Sequence, residues 1–464
     1  MRNRHLVGLD IGTTSVGGVV IDAAGGEVIE SAAREHRAGL DSGLAWERTQ
    51  DPEVLLAAVQ AVLAQLTDSD PDIGGVGITG QMHGILYVDR AGHAVSPLFT
   101  WQDQRGDLAR RDGKTYVQAL TESTGHSLAT GFGLVTHHYN LQNGLVPATA
   151  ASLCTIADYA VLRLTGGGSV PALDPSQAAG LGLFDAHASR FDERALHKAG
   201  IDQGFLPPIR RTAALVGHSE QDIAVFPSLG DNQAGFLGAV QDAEAAVLIN
   251  IGTSGQVSIY TRNALPIEGL EVRPFPGGGF LLVGASLCGG KAYALLEEFF
   301  HRVCRQFAGY DGPNLYAAMD HLADEAMAGR MRGEKLEVDT RLLGTRSKPQ
   351  IRGSIQQISM DNLTPEHLIL GFLEGIAEEL GQLYERLPDN LRGRHSYLVG
   401  CGNGLRLNQT LCGLMADRFG LPLRIPRHRE EAAFGAALSA GVGLGLYSDH
   451  IAAGRVIHYK AFRE

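Results

Sequence analysis

Two short turns contain the residues whose types and spacing are best suited to binding phosphate. The segment Asp10-Ile11-Gly12-Thr13-Thr14 follows one apolar stretch, and Asn250-Ile251-Gly252-Thr253-Ser254 follows another. Glycine lets the main chain approach a phosphate closely, while neighbouring amides and hydroxyl groups donate hydrogen bonds. Because each turn lies between two predicted strands, we expect two phosphate-binding hairpins. Such a pair indicates a nucleotide held between two lobes.

Two aspartates are candidates for the chemistry itself. Asp10 ends the first predicted strand, where a carboxylate beside phosphate-binding amides can hold a hydrated magnesium ion. The alternative for Asp10 is a carboxylate that only caps the turn. Asp231 lies in Leu229-Gly230-Asp231-Asn232-Gln233, where a turn opens into a helix of small residues. It can accept the proton of an alcohol that attacks a phosphate, or it can serve only as a helix N-cap.

A third group of residues is of the types that bind sugars. The run Gly80-Gln81-Met82-His83-Gly84 follows a predicted strand, and Thr100-Trp101-Gln102-Asp103-Gln104-Arg105 comes later. Amide, imidazole, carboxylate and guanidinium groups can bracket vicinal hydroxyls, and an indole face can cover the carbon chain. The alternative is a polar surface loop with one half-buried tryptophan. The candidate sugar ligands are Gln81, Met82, His83, Trp101, Asp103 and Arg105.

A fourth segment is the glycine-rich run from Gly400 to Asn408, which links a predicted strand to a helix beginning near Gln409. Turns of this kind leave room for a flat base beside the main chain. The alternative is an ordinary glycine-containing turn between a strand and a helix.

Two other motif matches do not support their usual functions. The dinucleotide-like spelling at 75–80 lies within a strand, and Gly113-Lys114-Thr115 lacks the earlier glycine that a P-loop requires.

Composition excludes several classes of function. The chain has 464 residues and a formal charge of -12, without a clustered basic footprint, which argues against a nucleic-acid-binding surface. Neither a membrane-spanning apolar run nor a secretion signal is evident, so we expect a cytoplasmic protein without membrane contact. The scattered cysteines predict buried thiols rather than disulfides or a zinc site.

The elements that must position these residues partly repeat along the chain. Strands are predicted at 6–9, 16–21, 27–31, 73–78, 246–249, 256–260, 280–283 and 397–399. Helices are predicted after Asp51, over 151–164, over 287–300 and after Thr364, and residues 228–230 are predicted as an exposed turn. The length favours two domains, divided near residue 245, each a three-layer α/β unit beside a cleft.

In the order and content of these motifs the chain resembles the FGGY carbohydrate kinases of the actin-like, hexokinase-like ATPase superfamily. The resemblance extends over essentially the whole chain and rests on residues 80–84, 100–103, 129–133 and 230–234. It implies an α/β fold of two ribonuclease-H-like domains with a central cleft. Residues 1–244 are expected to bind the sugar and provide the base, and residues 245–464 to bind the nucleotide.

The resemblance assigns roles to the candidate residues by position. Asp231 becomes the proton acceptor, and Asp10 and Asp231 are the expected contacts of magnesium. Gln81, Met82, His83 and Asp103 match sugar-contacting positions, to which residue type adds Trp101 and Arg105. The expected ATP contacts are Gly12, Thr13, Thr14, Gly252, Thr253, Ser254, Gly402, Asn403 and Asn408. The segment 430–437 resembles the family's terminal glycine-alanine helix and is expected to pack closely against the nucleotide domain.

The implied activity is transfer of the γ-phosphoryl group of ATP, with Mg²⁺, to the terminal primary hydroxyl of a ketose. The motifs favour sedoheptulose, because D-xylulose kinases usually have Trp-Asn-Asp where this chain has Trp101-Gln102-Asp103. D-xylulose, ribulose and other ketoses or polyols are the alternatives. A catalytically silent sugar sensor, or an actin-like filament or chaperone, would not need the whole set of motifs. The expected partners are a small ketose and ATP alone, in a monomer or homodimer.

Overall fold

A computed structural model describes residues 4–68, 72–167, 170–330, 334–345, 348 and 350–460. The strands of the first half are β1 (His5–Ile11), β2 (Ser15–Asp22), β3 (Val28–Glu35), β4 (Gly39–Leu40), β5 (Thr49–Gln50), β6 (Ile73–Gly80), β7 (Leu86–Val88), β8 (Leu98–Phe99), β9 (Ser152–Cys154), β10 (Phe184–Asp185), β11 (Arg190–Phe191), β12 (Gly217–His218), β13 (Ala224–Val225) and β14 (Leu229–Gly230). The helices of this half are α1 (Pro52–Asp68), α2 (Tyr116–Thr124), α3 (Gly133–Gln142), α4 (Ile156–Leu164), α5 (Pro175–Leu181), α6 (Glu193–Ala199) and α7 (Asp231–Ala239).

The main sheet of the first half has seven strands, in the order β12-β13-β6-β1-β2-β3, with β14 also paired to β6. Its centre is β1, which runs antiparallel to β2 and parallel to β6. The apolar residues of α1 recur at helical spacing and pack on this sheet, with Leu55, Val59 and Leu66 fully buried. The carboxyl ends of β1, β6 and β14 therefore lie at one edge of the sheet.

The second half is built from a further set of strands and helices. Its strands are β15 (Ala246–Ile251), β16 (Gly255–Thr261), β17 (Glu271–Pro274), β18 (Phe280–Ser286), β19 (Glu337–Asp339), β20 (Ser354–Gln356), β21 (Tyr397–Cys401) and β22 (Leu423–Arg424). Its helices are α8 (Gly289–Ala308), α9 (Tyr316–Glu325), α10 (Pro365–Glu385), α11 (Asp389–Arg392), α12 (Asn403–Leu407), α13 (Gln409–Phe419), α14 (Glu431–Gly443) and α15 (His450–Ala453).

The sheet of the second half repeats the arrangement of the first. It has six strands in the order β17-β18-β16-β15-β21-β22. Here β15 runs antiparallel to β16 and parallel to β21, as β1 does to β2 and β6. The repetition expected from the sequence is confirmed, and each glycine turn connects the central strand of a sheet to its antiparallel neighbour.

Helix α14 packs against both halves of the chain. Its Phe434 and Leu438 share one buried apolar cluster with Leu248 and Val399 of the second half, against which the sequence predicted it would pack. It also contacts β1, β6 and α7 of the first half, which the sequence did not predict. A Cβ atom added at Gly8 would lie 1.7 Å from the carbonyl oxygen of Ala433, and one at Gly77 would lie 1.8 Å from that of Ala436. Glycines in β1 and β6 therefore make the first sheet accessible to the helix backbone.

Two local predictions were wrong, and a third is confirmed with one added element. The helix predicted over 151–164 begins only at Ile156, because Thr155 caps it by accepting a hydrogen bond from Asp158 N, and β9 precedes the cap. The segment 228–230 is buried rather than exposed, since the Ser228 hydroxyl donates to Asp158 and β14 pairs with β6. The glycine-rich segment contains the short helix α12 before the helix predicted near Gln409.

Between β6 and β13 the chain forms an additional region with its own apolar core. That core includes Ile85, Tyr87, Leu134, Leu181 and Leu196, all fully or almost fully buried. The region contains α2, α3, α5 and α6. It also contains the two segments that were predicted to bind sugar, 81–84 and 100–105. It therefore adds one wall to the edge of the first sheet.

The cysteines are present as thiols, and the described helices do not match a bilayer-crossing segment. All five cysteines are free thiols, and four of them are buried. None of the helices in the described part of the chain combines the length and apolarity that a bilayer-crossing segment needs.

Candidate active site

A cavity of about 370 Å³ lies where residues of the two halves meet. It is lined by Met82, His83, Trp101, Asp231, Asn232, Gly235, Leu248, Asn250, Gln256, Arg273, Cys401, Glu431 and Ala432. Three of the six predicted sugar residues thus share one cavity with Asp231 and with the strand that leads into the second glycine turn.

Asp10 and Asp231 meet because β1 and β14 both run parallel to β6. Within β6, Thr79 is the partner of Asp10 on one side and of Leu229 on the other. Burial, followed by the negative charges of Asp231 and Glu430, raises the pKa of Asp10 to about 7. Burial raises the pKa of Asp231 as well, while the Arg273 guanidinium lowers it. The carboxylates therefore form a region that positive charge would stabilise.

These carboxylates fit a magnesium ion that arrives with a polyphosphate. Mg²⁺ keeps several waters and is usually held by one or two carboxylates together with substrate phosphates. Asp10 and Asp231 supply two such carboxylates, and their mutual repulsion is relieved by a cation. Among the residues described, no group of three or more His, Cys, Asp or Glu side chains is arranged to hold a metal ion alone. The donor set suits an ion shared with a ligand.

The two glycine turns are hairpin connections with similar internal bonding. Gly12 N donates to Ser15 O at 2.9 Å, and Gly252 N donates to Ser254 O at 3.0 Å. Since these glycine amides are used within the turns, the phosphate donors predicted here reduce to the amides and hydroxyls of the residues that follow each glycine. Those residues are Thr13, Thr14, Thr253 and Ser254.

The start of α8 supports the second turn, which sequence reasoning did not foresee. Gly290 N donates to Gly252 O at 2.9 Å, and Lys291 N donates to Thr253 O at 3.0 Å. Two amides from the first turn of a helix therefore fix the carbonyls of the hairpin. The run Gly289-Gly290-Lys291 was a signal in the sequence, because paired glycines permit close backbone approach at a helix start.

Three predicted sugar residues line the cavity. His83 has a φ of 74°, its Nδ1 donates to Gly180 O at 2.6 Å, and its ring stacks on Phe132. Met82 is buried beside it. Trp101 is 45% exposed, and its Nε1 donates to Thr13 Oγ1 at 3.3 Å, which links the sugar cluster to the first hairpin.

We call the cavity-lining residues Met82, His83 and Trp101 the sugar wall. Asp103 and Arg105 do not line the cavity and are buried behind this wall. Arg105 Nε donates to Asp103 Oδ1 at 2.6 Å, and Arg105 also donates to Asn140 and Glu47. The second oxygen of Asp103 accepts from Arg48 N at 3.0 Å. With both residues almost fully buried and their charges paired, the geometry supports a role in fixing the wall. Direct contact with a sugar stays a prediction for this pair, and such contact requires the pair to open.

Gln81 is also buried, but one of its polar atoms is left without a partner. Its Nε2 donates to Gln50 Oε1 at 2.9 Å, and Gln50 Nε2 donates to Thr13 O at 2.8 Å. Within the described residues, Gln81 Oε1 has no hydrogen-bond partner. Because a buried orphan acceptor is costly, this oxygen is suited to a hydroxyl or a water.

The predicted adenosine residues divide into two groups. Gly402 has a φ of 82° and lies against Ile251 and the side chain of Asn250, and Asn403 begins α12. Asn408 instead caps α13: its Oδ1 accepts from Leu411 N at 2.7 Å, and its Nδ2 donates to Asp320 at 2.8 Å. The structure thus uses the Asn408 side chain as a helix cap, and its contact with a base stays a prediction.

Several residues at the cavity were not identified from the sequence. Arg273 pairs with Glu271 and lies near Asp231, and Glu431 pairs with Arg406. Glu430 adds a third carboxyl to the surroundings of Asp10. The only sequence signal was the acidic pair Glu430-Glu431 directly before a glycine-alanine helix, since nothing in the spacing of Arg273 indicates a site.

Comparison with known proteins gives matches along nearly the whole chain. Residues 5–248 match the N-terminal domain of the FGGY family of carbohydrate kinases, and residues 247–444 match its C-terminal domain. Among curated relatives, sedoheptulokinase of Mus musculus is 29% identical over 480 residues, covering 93% of this chain and 96% of the relative. Xylulose kinase of Lactococcus lactis subsp. lactis is 25% identical over 479 residues, covering 98% and 91%.

Solved structures match over the same length. Xylulose kinase from Rhodospirillum rubrum has a TM-score of 0.83 at 22% identity, covering 99% of this chain and 93% of its own. Gluconate kinase from Lactobacillus acidophilus has a TM-score of 0.82 at 20% identity, covering 98% and 92%. At such identities the likeness concerns the fold alone, and the expected fold of the actin and hexokinase type is confirmed.

Proposed function

We propose that this chain, which belongs to the FGGY family of carbohydrate kinases, phosphorylates the terminal primary hydroxyl of a ketose, and that the ketose is sedoheptulose. Membership of the family makes the chain an ATP-dependent carbohydrate kinase, a phosphotransferase with an alcohol as acceptor. The observation that best supports transfer to a sugar hydroxyl with Asp231 as base is the shared cavity, which is lined by Asp231, Met82, His83, Trp101 and Asn250.

In this proposal Asp231 accepts the proton of the sugar hydroxyl. As the hydroxyl oxygen bonds to the γ-phosphorus, the bond from that phosphorus to the β–γ bridging oxygen breaks and ADP leaves. Burial raises the pKa of Asp231, and the Arg273 guanidinium opposes that rise and so favours the ionised, accepting form. Because the transition state of phosphoryl transfer is loose, positioning and charge stabilisation are expected to contribute more than basicity.

The remaining residues would hold the phosphates. Amides and hydroxyls of the turns that contain Gly12 and Gly252 donate to phosphate oxygens from the two sheets. Asp10 and Asp231 would hold Mg²⁺, which when bound neutralises charge on the transferring phosphate. Trp101, which bonds to Thr13, orients the sugar wall relative to the first turn.

Sedoheptulose is proposed because the motif pattern and the curated relatives agree. The mouse relative is a sedoheptulokinase, and it aligns over 93% of this chain. D-xylulose is the second candidate, since a xylulose kinase aligns over 98% of the chain at 25% identity. The same proposal divides the chain into a sugar-binding part, 1–244, and a nucleotide-binding part, 245–464. It places the enzyme in the cytoplasm as a monomer or homodimer.

A coupled ADP-release assay tests the proposal. Magnesium-ATP is supplied with sedoheptulose, D-xylulose, D-ribulose, L-ribulose or glycerol, and Asp231→Ala is the blank. We expect a preference for sedoheptulose that is absent from the variant. Preference for a five-carbon ketose would retain the mechanism and replace the substrate, whereas silence on every sugar would contradict the proposed ketose activity.

A further inference from the structure

Helix α5 is bonded to the segment that leads into Asp231. Gly230 N donates to Ser176 Oγ at 3.0 Å. Gln177 Nε2 donates to Leu229 O at 2.8 Å and to Ser228 Oγ at 3.2 Å. Two adjacent side chains of one helix thus fix three consecutive residues directly before the proposed base.

The opposite end of the same helix holds the sugar residues. His83 Nδ1 donates to Gly180 O at 2.6 Å. Met82 fills the space between the two sites: a Cβ at Gly180 would lie 2.9 Å from Met82 Cε, and a Cβ at Gly230 would lie 2.7 Å from Met82 Sδ. A shift of α5 would therefore move the sugar wall and the base segment together.

The bonds that tether α5 are fully enclosed. Ser176 Oγ donates to Asp174 Oδ1 at 2.6 Å, and Ser228 Oγ donates to Asp158 Oδ1 at 2.6 Å. Asp174, Ser176, Gln177, Asp158 and Ser228 are each no more than 1% exposed. Among the described residues the Oε1 atom of Gln177 has no hydrogen-bond partner, but the bonds named here pair the other buried polar groups, and such a network favours one geometry.

α5 is also close to the second half of the chain. It contacts β17, the strand that contains Arg273. Gln233, in the first turn of α7, donates its Nε2 to Pro274 O at the end of that strand, at 3.1 Å. Helix α5 therefore contacts the sugar wall, the segment 228–230 that precedes the proposed base, and the strand that contains Arg273.

We propose that α5 couples the sugar wall to the proposed base, with Ser176 and Gln177 as positioning residues that hold Asp231 in register with the bound hydroxyl. This inference rests on the proposed role of Asp231. Neither residue lines the cavity, so their effect is exerted through the backbone of 228–230. Loss of either bond lets the base segment shift while the sugar contacts remain.

The test compares Ser176→Ala and Gln177→Leu with Ser152→Ala, each as the full-length enzyme. Ser152 is a matched control, because it is also a buried serine and does not line the cavity. Its hydroxyl donates to Phe205 O, and the two oxygens are 2.9 Å apart. Because a base displaced from its productive position slows the transfer step, kcat should fall roughly ten- to a hundred-fold in both α5 variants. The sugar Kd, measured by calorimetry, should change less than about threefold.

Coupling is tested by a double-mutant cycle between His83→Asn and Ser176→Ala, because asparagine tolerates the positive φ of position 83. We expect non-additive effects on kcat/KM, together with restored kcat in Ser176→Thr, which keeps the hydroxyl. Equal kcat in Ser176→Ala, Gln177→Leu and Ser152→Ala, or full additivity in the cycle, would overturn the inference. If Asp231→Ala retains activity, the proposed base itself is refuted, which is a separate result.

Discussion

Replacing Asp10 with asparagine should stabilise the protein at pH 8 while greatly reducing its turnover. In the folded chain the pKa of Asp10 is raised from 3.8 to about 7. Between these values the folded state retains a proton that the unfolded state has released, so the free energy of unfolding falls as the pH rises through 7. Above pH 7 the ionised carboxylate is disfavoured by its surroundings, and asparagine removes that penalty.

The size of this effect follows from the shift. One pKa unit corresponds to about 1.36 kcal/mol, so the rise from 3.8 to about 7 sets a ceiling of roughly 4 kcal/mol. Part of the rise comes from Asp231 and Glu430, which can relax by taking up protons themselves. We therefore expect a gain of about 1–2 kcal/mol at pH 8 and roughly a third of that gain at pH 5, where the folded carboxyl is still neutral although the unfolded one has already ionised.

Thermal unfolding at both pH values in the presence of a chelator measures the gain. Asp311→Asn, in an exposed loop, serves as the charge-matched control. Added Mg²⁺ at pH 8 should raise the Tm of the wild type more than that of Asp10→Asn, because the ion stabilises the ionised carboxylate. An equal gain at both pH values, or a loss at pH 8, would refute the reasoning. ADP release from the same preparations should fall at least about a hundred-fold in Asp10→Asn.

Four further outcomes are expected. Asp231→Asn should lower kcat by roughly 10²- to 10⁴-fold with little change in sugar KM. A rise in sugar KM as large as the fall in kcat would contradict the role of Asp231 as base. Gly435→Ala should lower the Tm strongly, because its Cβ would lie 1.9 Å from Ala234 O, whereas Gly413→Ala has no atom within 4 Å and should be neutral or stabilising. Trp101→Ala should weaken sugar binding, measured by calorimetry, with the nucleotide Kd unchanged. Small-angle scattering with sugar and an unreactive ATP analogue should show compaction, and an unchanged radius of gyration would contradict domain closure.

The sequence by itself determined the parts of this protein that depend on neighbouring residues. The strands around both glycine turns, and the helices that begin after Asp51 and Thr364, lie where periodicity and capping residues predicted them. The duplicated turns indicated two similar sheets, because a strand, a tight turn and a second strand are specified locally. The candidate base Asp231 was identifiable for the same reason, since a glycine-preceded turn before a small-residue helix is a local pattern.

Tertiary structure decided which polar residues reach the cavity. Asp103 and Arg105 have the residue types of a sugar site, yet they pair with each other beneath the wall. Asn408 became a helix cap. Arg273 entered the site from a distant segment without any motif, and Glu430 entered it from a segment whose sequence indicated only a closely packed helix. Burial and charge pairing depend on which surfaces meet, and residue type alone does not contain that information.

The position of α14 shows the same limit at the level of whole elements. Its glycine and alanine residues predicted close packing against the nucleotide domain, but they did not indicate that the helix also packs on the first sheet, because small residues allow close approach to more than one surface. Gly8 and Gly77 in the first sheet allow this second contact, since any side chain there would collide with the helix backbone. Sequence therefore specified local conformation, whereas the surroundings of each carboxylate, and with them the pKa of Asp10, were set only when distant elements packed together.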